Sequence, residues 1–195
     1  KIITLIKNLR DKNLLKEKGV TLIEILVVIF IIALFSSILV ADFPKIKRQF
    51  ALTRAVYKMS QDLRRAQDMG FSGQQIADVE VKGYGVYIDL DNDISLGDKK
   101  YIIYADMDDD PWYTAGTDSI IETIDFGQAE AGVTIKRIEN TINDRLVDIN
   151  FKPPNPTITI TELLPNRNRA QIIFTTKDGK ERMVFVNRSG LIEIK

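Results

Sequence analysis

Four of the five carboxylates between residues 106 and 118 are the side chains whose type and spacing best fit a ligand site. Asp106, Asp108 and Asp110 alternate along the chain, and Asp118 follows them. Alternating carboxylates suit Ca²⁺, which takes about 6–8 oxygen ligands at about 2.3–2.6 Å. We therefore expect these four residues to be candidate calcium ligands. The alternative is a solvated acidic loop that binds no ion. A second, weaker run of alternating carboxylates comprises Asp89, Asp91 and Asp93.

The sequence contains no histidine and no cysteine. Without them it has no Ser-His-Asp triad, no thiolate nucleophile and no cysteine-based zinc site. The acid pair Asp106 and Asp108 could in principle catalyse glycoside hydrolysis, but no suitably spaced pair stands out. We therefore predict that the protein is not an enzyme and requires no cofactor, with Ca²⁺ as the one ion that its loops could bind.

Charge is balanced overall, at 27 basic and 27 acidic residues, but it is segregated along the chain. Residues 1–19 carry six basic and two acidic residues, whereas residues 78–130 carry three basic and fourteen acidic residues. Without residues 1–19 the net charge is 21 − 25 = −4. Charge therefore does not favour nucleic acid as a partner, although it does not exclude it.

Residues 20–41 form an apolar segment of 22 residues with a single charge, Glu24. As a helix it is about 33 Å long, enough for a hydrocarbon core of about 30 Å. The basic residues before it should stay in the cytoplasm, which places the C-terminal part outside. We predict a single-pass membrane protein. Glu24 is costly in such a segment unless it reaches the interface or finds a partner.

The residues around the start of the apolar segment carry a specific motif. A basic stretch ends at Gly19, and Val20 is followed by Thr21-Leu22-Ile23-Glu24. This pattern resembles the processing site of class III signal peptides, which type IV pilins and the pseudopilins of type II secretion share. The family usually has Phe where this sequence has Val20, and both residues are apolar.

The resemblance implies that a prepilin peptidase removes residues 1–19 by cutting between Gly19 and Val20, and methylates the new amine. It also implies that Glu24 acts in assembly with Thr21, Leu22 and Ile23, pairing with the amine of a neighbouring subunit. The implied partners are the membrane, the peptidase, other pilin subunits and an assembly platform. The implied location is the cytoplasmic membrane and then a pilus or pseudopilus. The chain begins at Lys1 rather than Met, so we expect the leader to start upstream.

The helix is predicted to continue through residues 42–70. Apolar residues recur there mostly at spacings of three or four, which is typical of an amphipathic helix. The stripe either docks on the protein's own globular part or forms a coiled-coil seam. Pro44 removes one helical hydrogen bond and predicts a kink. The apolar stripe comprises Phe43, Ile46, Phe50, Val56, Met59, Leu63, Ala66 and Met69.

Residues 71–195 show short β-type runs separated by turn residues. Nine strands are predicted, with hairpin turns at residues 177–180 and 188–190. The fold class is therefore α+β, with a long helix packed on an antiparallel sheet or a β-sandwich head. The order of elements resembles the H-type minor pseudopilins and related minor pilins. The predicted strands are Tyr84–Asp89, Lys100–Ala105, Ile120–Asp125, Val133–Ile138, Asp148–Phe151, Thr157–Thr161, Gln171–Thr176, Met183–Asn187 and Leu191–Ile194.

The function that these features predict is a pilin-like structural subunit, assembled into a type IV pilus or a type II secretion pseudopilus. One alternative is a minor pilin that captures DNA. A basic cluster at residues 167–182 either supplies the phosphate contacts for this or is a solvated strand face, which we favour. The other is a membrane-anchored sensor or enzyme whose helix is only a tether. The basic cluster comprises Arg167, Arg169, Lys177, Lys180 and Arg182.

Overall fold

The structure is a computed structural model that describes residues 19–76, 79–91, 96–110, 112–130, 132–153 and 157–195. The predicted leader up to residue 18, and Asp93 of the weaker acidic run, lie outside the described residues. The chain divides into two compact units, with the boundary between Phe43 and Pro44.

Helix α1, Leu22–Ser72, is the first element that the structure describes and confirms the predicted long helix. Its N-terminal part, through Phe43, has every side chain exposed, as expected of a helix surface that meets lipid. This helix is long and apolar enough to cross a membrane. Pro44 lies inside the helix, and the kink remains a prediction.

In the described ranges nine strands follow, and they form two antiparallel sheets. All nine were predicted, each with its ends placed within two residues. A 3₁₀ turn, Gly97–Lys99, precedes β2, and a short helix α2, Phe126–Ala129, precedes β4. The strands are β1 Gly83–Asp89, β2 Lys100–Asp106, β3 Ser119–Asp125, β4 Val133–Glu139, β5 Leu146–Lys152, β6 Thr157–Ile160, β7 Arg169–Thr176, β8 Glu181–Asn187 and β9 Ile192–Ile194.

The five-stranded sheet has the order β3-β2-β1-β5-β6, and the four-stranded sheet has the order β4-β7-β8-β9. The two predicted hairpin turns join β7 to β8 and β8 to β9. Gly179 and Gly190 have φ values of 75° and 84° there, in the left-handed region that favours glycine. The structure therefore confirms the α+β class and the antiparallel pairing.

One hydrophobic core unites both sheets with the C-terminal part of α1. The helix contributes a face that runs from Ala51 to Gly70, which confirms docking rather than a coiled-coil seam. Gly70 approaches β5 so closely that an added Cβ would lie 2.4 Å from the carbonyl oxygen of Phe151. The predicted stripe was wrong at its start, because Phe43, Ile46 and Phe50 are all about half exposed.

Asp62 is a buried carboxylate in the docked face of α1. Its Oδ2 accepts a hydrogen bond of 2.5 Å from the hydroxyl of Tyr101 on β2, and its Oδ1 lies 2.5 Å from the Nζ of Lys58. Desolvation and the Asp62 charge raise the pKa of Tyr101, which therefore stays protonated and donates. Among the described residues, three ion pairs join α1 to the chain beyond it: Arg48–Asp178, Arg54–Glu130 and Arg65–Glu122.

We predict that Asp62→Ala lowers the free energy of unfolding by about 1–3 kcal/mol, because it leaves the buried Tyr101 hydroxyl without an acceptor. Thermal unfolding of the full chain in detergent measures this loss. Asp68→Ala, on an exposed position of the same helix, is the matched control and should change stability by less than about 0.5 kcal/mol. Equal effects of the two substitutions would show that the Asp62–Tyr101 contact is not a determinant of docking.

Candidate functional site

The first turn of α1 is capped by Thr21. Its backbone oxygen accepts hydrogen bonds from the amides of Glu24 and Ile25, at 3.1 and 3.2 Å. Its hydroxyl oxygen also accepts from the Glu24 amide, at 3.3 Å. Thr21 is therefore the N-cap and Glu24 is the third helical residue. The pair has the spacing of a capping box, of which the hydrogen bond to the Thr21 hydroxyl forms one half.

This capping role was missed at the level of the sequence, although Thr21-x-x-Glu24 before an apolar run is its recognised signal. The role matters because unsatisfied amides at a helix start are expensive in a hydrocarbon environment. A carboxylate in the first turn also interacts favourably with the positive end of the helix dipole. Thr21 and Glu24 thus support the local helix start, whatever further role they have.

Gly19 and Val20 precede the helix and are exposed. A Cβ added at Gly19 would meet no atom within 4 Å, and its φ is not in the left-handed region. The described part of the chain therefore does not itself require glycine at this position. Leu22 and Ile23 are exposed, at 83% and 63%. Glu24 is exposed, and among the described residues it forms no ion pair.

The predicted calcium ligands lie at and after the end of β2. One carboxylate oxygen from each of Asp106, Asp108 and Asp118 lies within 4.8 Å of the other two. Asp106 and Asp118 are buried, whereas Asp108 is exposed. Asp110 is outside this trio, and its carboxylate accepts from the Trp112 amide at 2.7 Å and from the Thr114 hydroxyl at 3.4 Å.

Backbone amides already use these carboxylates as acceptors. Asp118 accepts from the amides of Met107 and Thr114, at 2.9 and 2.7 Å. Burial raises the pKa of Asp118, although these two hydrogen bonds lower it. Asp106 accepts from the Asp109 amide at 2.8 Å, and its other oxygen lies 3.1 Å from the Nζ of Lys152. The trio therefore organises the connection between β2 and β3.

Asp148 on β5 binds the connection between β2 and β3 to the outer face of the five-stranded sheet. Asp148 accepts from the Tyr104 hydroxyl at 2.8 Å and from the Tyr113 amide at 2.6 Å. Burial raises the pKa of Asp148 well above its usual range, although both hydrogen bonds lower it. The Tyr113 ring packs against Tyr104 and Tyr87, with ring centroids 5.3 Å apart in both pairs.

The oxygen-rich trio has the donor chemistry that Ca²⁺ prefers, and its compact spacing suits one ion. The ammonium of Lys152 competes, since it already offsets the charge of Asp106. Calcium binding therefore stays a prediction. In the weaker acidic run, the Asp91 carboxylate pairs with Arg145. The Asp91 amide donates to the Asp89 carboxylate at 2.9 Å, a hydrogen bond typical of a turn.

Residues 14–40 match the family model described as the prokaryotic N-terminal methylation motif. The described part of this match contains Gly19, Val20, the Thr21 cap and Glu24. Searches of the curated proteins and of the solved structures give no significant match to this chain.

If the trio holds an ion, 1 mM CaCl₂ should raise the thermal unfolding midpoint of the full chain in detergent. Asp108→Asn should abolish the increase, because it removes the exposed ligand without disturbing the buried carboxylates. Asp110→Asn is the matched control and should retain the increase. An unchanged midpoint of the unsubstituted protein, or equal losses in both variants, would contradict calcium binding by the trio.

Proposed function

We propose that this chain, which carries the prepilin-type methylation signal of type IV pilins and pseudopilins, is a structural subunit of a membrane-derived filament. The supporting observation is the coincidence, within residues 14–40, of the methylation motif and a capped helix start that carries Glu24. The long apolar helix fits a single-pass protein anchored in the inner membrane.

A prepilin peptidase is the proposed processing partner. Hydrolysis of the bond between Gly19 and Val20 leaves a carboxylate on the leader and a free amine on Val20. A sulfonium methyl donor then transfers one methyl group to the neutral amine and leaves as a thioether. The methylated amine stays basic, so it still carries a positive charge. Removal of residues 1–19 also deletes the basic leader that holds the helix at the cytoplasmic face. Processing thus removes the basic leader and leaves one positive charge at the amine of Val20.

That cation is the proposed partner of Glu24 in a neighbouring subunit. A carboxylate buried among packed helices is costly while it is unpaired. An amine of a neighbouring helix at the same position along the bundle axis offsets that cost. Because the amine of one copy meets Glu24 of another, the contact joins two different surfaces. Repetition of such a contact builds an open helical filament.

The globular head is the part that the filament would display outside the membrane. Assembly by this scheme requires no catalytic residue in the chain. The α1 face from Ala51 to Gly70 is already buried against the head, which leaves the apolar N-terminal part of the helix for other subunits. The scheme applies equally to a pilus and to a secretion pseudopilus, because both would use the same helix start.

We predict that Glu24→Gln reduces incorporation into filaments at least tenfold while the protein remains in the membrane. Glutamine can serve at the third position of a capping box, so this substitution removes the charge and preserves the helix start. Incorporation is measured as the ratio of sheared filament protein to membrane protein, in cells that also express the unsubstituted partners. Leader removal is followed in parallel by N-terminal sequencing.

Thr21→Val is the matched variant, because it removes the capping hydroxyl and keeps the Glu24 carboxylate. It should affect incorporation less than Glu24→Gln does. Normal incorporation of both Glu24→Gln and Glu24→Leu would contradict the proposed pairing.

A further inference from the structure

A polar pocket of about 290 Å³ lies on the outer side of the four-stranded sheet, where β7 begins and β8 ends. Its walls come from β7, β8 and β9 and from the loops before β7 and after β4 and β8. The side chains that carry the argument are Asn140, Asn166, Arg167, Asn168, Arg169 and Gln171. We refer to this set, with Phe185 beneath it, as the amide pocket.

Phe185 supplies the floor of the amide pocket. It lies on the outer face of β8, because its neighbours Val184 and Val186 belong to the core. The guanidinium carbon of Arg169 is 5.0 Å from the centre of the Phe185 ring, and the Nζ of Lys195 is 5.2 Å from it. A guanidinium held against a ring has a restricted orientation and can bind an anion through its N–H edge.

The structure separates the basic cluster that the sequence contains. At one end of β7, the Nζ of Lys180 donates to Gln49 at 2.9 Å, beside the Arg48–Asp178 ion pair. At the other end, Arg167 and Arg169 line the amide pocket. Neither of these two arginines has an acidic partner in the part of the chain that the structure describes. The two arginines outnumber the one acidic residue of the lining, Glu193, so the pocket has a net positive charge. Its ligand should therefore be an anion.

Side-chain amides form the rest of the wall. Within the described ranges, the side chains of Asn140, Asn166, Asn168 and Gln171 make no hydrogen bond to protein. Asn187 differs, since its Oδ1 accepts from the amides of Ser189 and Leu191, at 2.9 Å each, and so shapes the loop. An amide can donate and accept at once, which suits a hydroxyl group. Asn166 and Asn168 are exposed. A sulfate offers acceptors only, so it could bond to the amide N–H groups and would leave the amide oxygens to water.

Asn140 adds an observation about the backbone. Its φ is 69°, and its carbonyl oxygen accepts from the Leu164 amide at 3.0 Å. Asparagine tolerates this left-handed conformation better than most residues. The contact brings the loop after β4 against the loop that carries Asn166 and Asn168, so amides from two separate loops face one cavity.

We propose that the amide pocket binds a sugar ring that bears a carboxylate. The carboxylate would pair with Arg169 and Arg167, and the ring hydroxyls would bond to the four amides. The volume lies at the lower end of small-molecule pockets, which favours one ring, at the end of or within a larger glycan. This inference does not depend on processing at Gly19 or on assembly.

Isothermal titration calorimetry of the full chain in detergent tests the proposal. Trigalacturonate is the acidic probe, and maltotriose is the uncharged control of the same number of rings. N-acetylmuramic acid is a second acidic probe, which distinguishes a cell-wall source from an acidic polysaccharide. At least one acidic sugar should bind at least tenfold more tightly than maltotriose. Arg169→Gln and Gln171→Leu should each weaken binding at least fivefold.

Lys177→Gln is the matched control, because it removes a positive charge at the other end of β7 and should leave binding unchanged. Thermal unfolding midpoints establish that each variant is folded. Absence of binding by both acidic sugars would overturn the proposal. Equal losses in Arg169→Gln and Lys177→Gln would do so as well, since they would indicate non-specific charge attraction. Binding of single-stranded DNA or inorganic phosphate without sugar binding would assign the pocket to another ligand and also overturn it.

Discussion

A carboxylate among lipid-facing side chains must be paired or must stay near the membrane surface, and this constraint governs the N-terminal part of the molecule. Insertion scales give a cost of about 2.5–3.5 kcal/mol for an acidic residue at the centre of a membrane helix. Glu24 reduces that cost locally, because it lies in the first turn, where Thr21 caps the helix. The cap does not neutralise the charge. In the proposed assembly, the amine of another copy would neutralise it.

The head depends on a different kind of interaction. Its core joins two sheets and one face of α1, and a few buried polar contacts determine how they fit together. Asp62 bonds to Tyr101 between helix and sheet, and Asp148 bonds to Tyr104 on the outer face of the five-stranded sheet. Buried groups of this kind contribute less to stability than apolar burial does, but they are costly when mismatched. They therefore favour one arrangement of the elements.

Periodicity and turn residues were sufficient to predict the nine strands, both hairpin turns and the long helix. Periodicity failed at the start of the docked face of α1. Ile46 and Phe50 keep the apolar helical spacing, but they are exposed rather than packed on the sheets. Alternation predicted that Asp106, Asp108 and Asp110 share one site that Asp118 would close, whereas Asp110 lies outside the trio and accepts from the Trp112 amide. The amide pocket could not be predicted, because residues 140, 168 and 185 meet only through the pairing of β4, β7 and β8.

The N-terminus of the protein in its own membrane tests the central claim most directly. Intact-mass spectrometry of the full chain, purified from cells that contain a prepilin peptidase, should show a polypeptide that begins at Val20 and carries one added methyl group. A Gly19→Ala chain should remain folded, because the added Cβ has space, and should keep its leader. A membrane-purified protein that still carries residues N-terminal to Val20 would contradict the account, since no amine would then exist to meet Glu24.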